Sequence, residues 1–159
     1  MAIKILTTGG TIAKTYNEIS GELIFDEKYL SKMLFQSRVF VEREVLMFKD
    51  SLDMNDKDRE IILKAVENSI ESKIIVMHGT DTIVDSAKVL SEVKDKTIVF
   101  MGSMIPYAFK NSDALFNFGF AMQSVQLLPN GVYICMNGVA FEWDEVKKNK
   151  EQGLFEYNF

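Results

Sequence analysis

Four short apolar runs, separated by stretches of helical periodicity, constrain this chain more than any other feature. Residues 3–8, 74–78, 97–101 and 131–136 are mostly rich in β-branched side chains and end in turn-forming residues, as strands buried on both faces do. Residues 39–48 mix charged and apolar side chains and predict a fifth, more exposed strand. Between them lie helical patterns. Asn55 caps one in which Ile61, Ile62, Ala65, Val66 and Ile70 recur at helical spacing. Thr82 with Asp85 gives an S/T-x-x-D/E start to a second through Val84, Ala87 and Leu90. Ser112 or Asp113 opens a third, with Leu115, Phe118, Ala121, Met122 and Val125 on one face, and a shorter helix is expected over 26–34. Strand and helix alternate throughout, which favours βαβ units and a three-layer, flavodoxin-like α/β sandwich with a mostly parallel sheet. Ligands of such sheets sit beyond the carboxyl ends of the strands, so the residues just after each strand are where chemistry is sought.

At 159 residues, with no repeat and no Gly/Ser linker, the chain reads as one domain over 1–159. Its net charge of −5 lacks the basic footprint of a nucleic-acid binder, and Lys147-Lys148-Asn149-Lys150 is the only local basic cluster. No apolar run approaches a membrane span, and the first six residues enter a strand directly without a signal-peptide h-region. The expectation is a cytoplasmic protein. One cysteine and one histidine cannot form a disulfide or a His/Cys zinc site, and EF-hand spacing is absent. No metal and no cofactor are expected.

The first strand ends in Thr7-Thr8-Gly9-Gly10-Thr11-Ile12-Ala13. Adjacent glycines permit a sharp turn and a close backbone approach to a ligand. Three threonine hydroxyls there are candidate nucleophiles, although a plain strand-to-loop turn fits the segment equally well. Neither phosphate-binding glycine spacing is met. The run 74–78 leads into His78-Gly79-Thr80-Asp81-Thr82, which puts Asp81 near the positive end of the following helix. Taken alone, a capping aspartate and a turn threonine account for that segment. His78 reads as a packed structural residue, Cys135 as a small core hydrophobe, and Asp53 and Asp56 as acids near a helix start. Trp143 reads as a residue of a subunit contact.

Together these segments resemble the bacterial-type L-asparaginases. The resemblance rests on residues 8–13 and 78–82, on Ser51-Leu52-Asp53-Met54-Asn55, on Met101-Gly102-Ser103-Met104 and on the run 111–117 from Asn111 to Asn117, in order along nearly the whole chain. It implies a Thr11 nucleophile, a second essential threonine at Thr80 backed by Lys148, and a loop tyrosine, Tyr16, that covers the site. It also implies that Asp81 anchors the α-ammonium of L-asparagine and Ser51 its α-carboxylate, with Gly10, Gly79 and Ser103 lining the substrate site. Lys147 takes the place of Lys148 if the loop differs by one residue. A threonine hydroxyl needs a base before it attacks an amide, and a desolvated lysine can serve. The implied activity is hydrolysis of L-asparagine through a threonine acyl-enzyme in a homodimer or homotetramer. Glutamine or another small amide is the alternative substrate, and a non-catalytic amino-acid-binding module is the alternative class.

Two departures from the family stand out. The sequence reaches only the N-terminal domain of the usual two-domain enzyme, whose second domain supplies an acidic residue near the substrate ammonium. Leu52 stands where a polar side chain is common, and losing one such hydrogen bond costs about 0.5–1.5 kcal/mol. Both departures predict a higher KM.

Overall fold

In the computed structural model, which describes residues 2–159, the apolar runs form the centre of a six-stranded sheet. Its elements in chain order are β1 (Ile3–Gly9), β2 (Lys14–Asn17), β3 (Glu22–Phe25), α1 (Tyr29–Ser37), β4 (Glu42–Lys49), α2 (Asp56–Asn68) and β5 (Lys73–Met77). They continue with α3 (Ile83–Val89), β6 (Thr97–Met101), α4 (Ala114–Leu127), β7 (Gly131–Met136), β8 (Val139–Glu142), β9 (Val146–Asn149) and β10 (Leu154–Tyr157). The sheet order is β4-β1-β5-β6-β7-β8, parallel except for the last pair. Counting parallel strands alone, the order is 2-1-3-4-5, the doubly wound flavodoxin-like arrangement.

Strand side chains alternate between faces, and each face has its own core. Ile5, Ile75, Met77, Val99, Met101 and Cys135 meet α1 and α4 through Leu30, Met33, Phe118 and Ala121. Leu6, Ile74, Val76, Ile98, Phe100 and Ile134 meet α2 and α3 through Ile62, Val66, Ile83 and Leu90. Full burial of each such side chain is worth about 1.5–3 kcal/mol, so the central strands are held from both sides. β4, at one edge, is more exposed, as its mixed composition predicts.

Local chemistry departs from the sequence reading in several places. The helix expected over 26–34 starts at Tyr29, because Asp26 forms a turn that accepts from the Lys28 and Tyr29 backbone N–H groups. It runs on to Ser37, where Arg38 at φ 56° closes it in the left-handed region. α2 carries the predicted Asn55 cap, completed by a reciprocal bond from the Asn55 N–H to Asp58. It stops at Asn68, which leaves Ile70 exposed beyond the helix and outside its apolar face. Thr82 occupies the N-cap position of α3, but its hydroxyl donates to the Ser51 carbonyl and makes no capping bond. Leu115 lies on the outer side of α4, not with Phe118 and Ala121. Trp143 is half-buried against the second core.

Five strands have no counterpart among the predicted strands. Asn137 (φ 43°) and Gly138 (φ 79°) make the tight turn that folds β8 antiparallel onto β7. The two-stranded ribbons β2–β3 and β9–β10 stand outside the main sheet.

Candidate active site

The strand order reverses between β1 and β5, and the two glycine turns meet at that point. Gly10 adopts φ 77°, and a Cβ there would lie 2.5 Å from both Cα and N of Gly79. Gly79 in turn backs onto Ser51, whose Cβ and Oγ would lie 2.8 Å from a Cβ added to Gly79. A Cβ added to Gly102, just after β6, would lie 2.3 Å from the carbonyl oxygen of His78 and 3.3 Å from Thr80 Cγ2. Four strand ends thus converge with little side-chain volume between them.

The three threonines of the first turn separate clearly. Thr7 is buried with its hydroxyl on that of Tyr29, and Thr8 is buried and donates to the Met77 carbonyl at 3.0 Å. Thr11 begins a 3-10 turn, is partly exposed, and has no side-chain hydrogen bond among the described residues. It is the one of the three whose hydroxyl is free to act on a ligand.

Across the crevice, Lys148 Nζ donates to Thr80 Oγ1 at 2.7 Å and to Asp81 Oδ1 at 2.8 Å. The lysine of this group is therefore Lys148, while Lys147 points to Glu156. Thr80 is buried, Asp81 faces solvent, and the Lys148 amine bridges them. The Thr80 N–H has no acceptor among the described residues, whereas the Gly10 N–H is taken by the Lys49 carbonyl.

Ser51 is buried in a 3-10 turn, and its Oγ accepts from the Thr82 N–H at 3.2 Å. Leu52 beside it is exposed. The turn is anchored from below. Lys49 holds both carboxylate oxygens of Asp58 at 2.9 Å, and that hydrogen bond is the main cause that keeps the Asp58 carboxyl below its ordinary range. Ser103 is buried and donates to the Ile105 carbonyl at 2.6 Å within its own loop. Tyr16 lies exposed on the β2–β3 ribbon, cross-strand from Leu23 and away from these contacts. A cavity of about 500 Å³ lies nearby between Thr15, Asp26, Lys32, Gln36 and Tyr107, and none of Thr80, Asp81 or Lys148 lines it.

His78 lies beneath the crevice. Its Nδ1 bonds the Gly79 carbonyl at 2.7 Å and must carry a proton to do so; its Nε2 then accepts from Ser86 Oγ at 2.7 Å. Ser86 accepts from Arg59 Nε, and Arg59 also reaches Thr82 Oγ1. Burial, chiefly, holds the imidazole neutral and lowers its pKa from 6.5 to about 4. Below pH 6.5 the unfolded chain binds a proton that folded His78 refuses, so stability present above 6.5 is lost as pH falls towards 4, by roughly 3 kcal/mol. Denaturant titrations from pH 7 to 4 should show this loss, and His78→Gln should flatten it. Equal pH slopes in the two proteins would remove His78 as the cause.

Among the described residues no group of three or more His, Cys, Asp or Glu side chains could hold a metal ion, and no helix is long and apolar enough to cross a membrane. Cys135 is buried, which raises its thiol pKa to about 11 and leaves it an inert core residue. The sequence assigns no role to Arg59, Ser86, Asn137 or Asn117, the last of which lies in the matching run 111–117; all four organise the crevice from outside the strand ends. For Asn137 a signal exists: Asn-Gly between two apolar runs marks a hairpin.

These features define an α/β domain of the doubly wound class with a polar crevice at its switch point. Residues 2–156 match the family model described as Asparaginase, N-terminal, and the chain belongs to that family. It is 27% identical to the L-asparaginase of Thermococcus kodakarensis over 162 residues, which take in 97% of this chain and 49% of that protein. It is 28% identical over 144 residues to a Glutamyl-tRNA(Gln) amidotransferase component of Haloquadratum walsbyi, covering 85% of this chain and 33% of the relative. The structure of the thermostable L-asparaginase from Thermococcus kodakarensis superposes with a TM-score of 0.87 at 26% identity, over 99% of this chain and 51% of that one. L-asparaginase I from Vibrio cholerae shares the fold, with a TM-score of 0.85 at 22% identity, over 98% of this chain and 51% of that one. The chain spans between a third and a half of the length of these relatives.

Proposed function

We propose that this chain is an amidohydrolase domain that hydrolyses L-asparagine to L-aspartate and ammonia through a Thr11 acyl-enzyme. The observation that carries the reading is the Lys148 amine held on both Thr80 Oγ1 and Asp81 Oδ1, next to a glycine turn that leaves Thr11 alone with an uncommitted hydroxyl. In this reading Thr11 Oγ1 attacks the side-chain amide carbon and its proton passes through Thr80 to Lys148. The tetrahedral oxyanion finds a donor in the Thr80 N–H, an interaction worth about 3–4 kcal/mol at such sites. Collapse breaks the C–N bond, the transferred proton leaves with ammonia, and water then hydrolyses the ester. Asp81 takes the substrate's α-ammonium, Ser51 its α-carboxylate, and Gly10, Gly79 and Ser103 line the pocket. Tyr16 closes over the site when its ribbon moves inward. The reading extends to a single domain over 1–159 that works without a cofactor, in a cytoplasmic homodimer or homotetramer.

The similarity to an amidotransferase component favours, as second reading, an amide other than asparagine. Ammonia release from L-asparagine and L-glutamine, compared as kcat/KM, separates the two. Hydroxylamine tests the covalent step: an acyl-enzyme partitions to the hydroxamate at the expense of aspartate. Absence of ammonia release from either amide, together with thermal stabilisation by aspartate, would replace both readings with a binding module.

A further inference from the structure

The ribbon that delivers Lys148 is poorly tied to the rest of the molecule. β9 and β10 form a two-stranded sheet of their own, and an isolated pair of strands is marginal in water. Val146 and Phe155 bury into the second core. Among the described residues, the backbone of 146–157 is hydrogen-bonded outside the ribbon at one place, the side chain of Asn137. Asn137 Oδ1 accepts from the Phe155 N–H at 2.9 Å, and Asn137 Nδ2 donates to the Phe155 carbonyl at 3.2 Å. One side-chain amide thereby replaces the missing neighbour strand. Phe155 is the residue directly opposite Lys148 in the ribbon.

Asn137 is itself fixed. Its N–H donates to Asn117 Oδ1 at 3.1 Å, and Asn117 Nδ2 donates to the Gly102 carbonyl and to Asp113 Oδ2, both at 3.0 Å. Gly102 packs against the turn that holds Thr80, which is where the Lys148 amine lands. The contacts form a closed ring: Lys148, Phe155, Asn137, Asn117, Gly102, Thr80 and back to Lys148.

We infer that Asn137 is a positioning residue for Lys148: its side-chain amide sets the height and angle of the β9–β10 ribbon and so places the amine on Thr80 and Asp81. This rests on the role given to Lys148 above, and its test has one arm independent of turnover. Asn137 sits at φ 43°, a conformation that glycine adopts freely, so Asn137→Gly removes the amide and keeps the turn. Asn137→Asp keeps the shape and the acceptor for the Phe155 N–H but loses the donor to its carbonyl.

The experiment compares wild type and both variants by amine acylation with mass-spectrometric readout and by steady-state kinetics. Wild-type Lys148 is shielded, its side chain only 14% exposed. In Asn137→Gly the rate of Lys148 acylation should rise by about tenfold, while kcat falls by up to about 10²-fold with KM little changed, as displacement of a catalytic group does. Lys147, more than half exposed, is the internal control and should label equally in all three proteins. Asn137→Asp should fall between the other two. Unchanged Lys148 labelling in a folded variant overturns the proposal, and so does an equal rise at Lys147 and Lys148, which would report general loosening. If Asn137→Gly does not fold, Asn137→Asp decides by the same criteria. If wild type hydrolyses no amide, the labelling arm still decides the positioning role, and only the catalytic reading falls.

Discussion

On the proposed mechanism, Thr11→Ala and Lys148→Met should each lower kcat for L-asparagine by about 10³–10⁴-fold, and the double variant should be barely slower than the slower of the two. The magnitude follows from the chemistry: without a hydroxyl there is no acyl-enzyme, and without the base a threonine hydroxyl is a poor nucleophile at neutral pH. The lack of additivity follows from their acting on one proton. Once either is gone, the other has nothing to act with, as in other nucleophile–base units. Neither change should prevent folding. Thr11 is partly exposed and makes no side-chain hydrogen bond among the described residues. Lys148→Met leaves Thr80 and Asp81 without their amine partner, and a buried hydroxyl that loses its partner costs about 1–3 kcal/mol. Steady-state ammonia release from the four proteins, each checked for an intact unfolding transition, measures the effect. A double variant slower by the product of the single losses would mean that the two residues serve separate steps.

The parts legible in the sequence are those that local patterns encode. Apolar runs with β-branched residues mark β5, β6 and β7, because a strand buried on both faces leaves no room for polar alternation. The Asn55 cap is legible because its partner Asp58 is three residues away. Thr82 misleads for the opposite reason: Ser51, 31 residues distant in sequence, takes its hydroxyl, and no local rule sees that competitor. The placement of Lys148 comes from counting along a resemblance. The ribbon that carries it has Val-Lys-Lys-Asn facing Leu-Phe-Glu-Tyr, too polar to read as strand, and it is held by a side-chain amide from a distant turn. The same limit hides Arg59, whose guanidinium reaches Ser86 on the neighbouring helix α3 and Thr82 at its N-cap position.

Gly10→Ala tests the geometry of the switch point and should carry a large stability cost for a single methyl group. Gly10 has φ 77° with ψ −176°, a region essentially closed to residues with a Cβ, at a cost of about 1–3 kcal/mol. The added carbon would also stand 2.5 Å from the Gly79 backbone and 3.0 Å from the His78 carbonyl carbon. These neighbours are all backbone atoms of the turn after β5, so no side chain can swing aside. Overpacking of that kind adds about 1–3 kcal/mol. The combined loss of roughly 2–6 kcal/mol compares with a total stability of about 5–15 kcal/mol for a domain, and it lowers Tm by several degrees at least. Gly119→Ala is the counter-case. It lies within α4 with nothing within 4 Å of an added Cβ, so the same methyl group should stabilise by about 0.5–1 kcal/mol through helix propensity. Denaturant unfolding of the pair reads both signs at once. A Gly10→Ala protein as stable as wild type would mean that the β1 and β5 turns do not abut, and Thr11 and Thr80 would then lose the shared crevice on which the proposed mechanism depends.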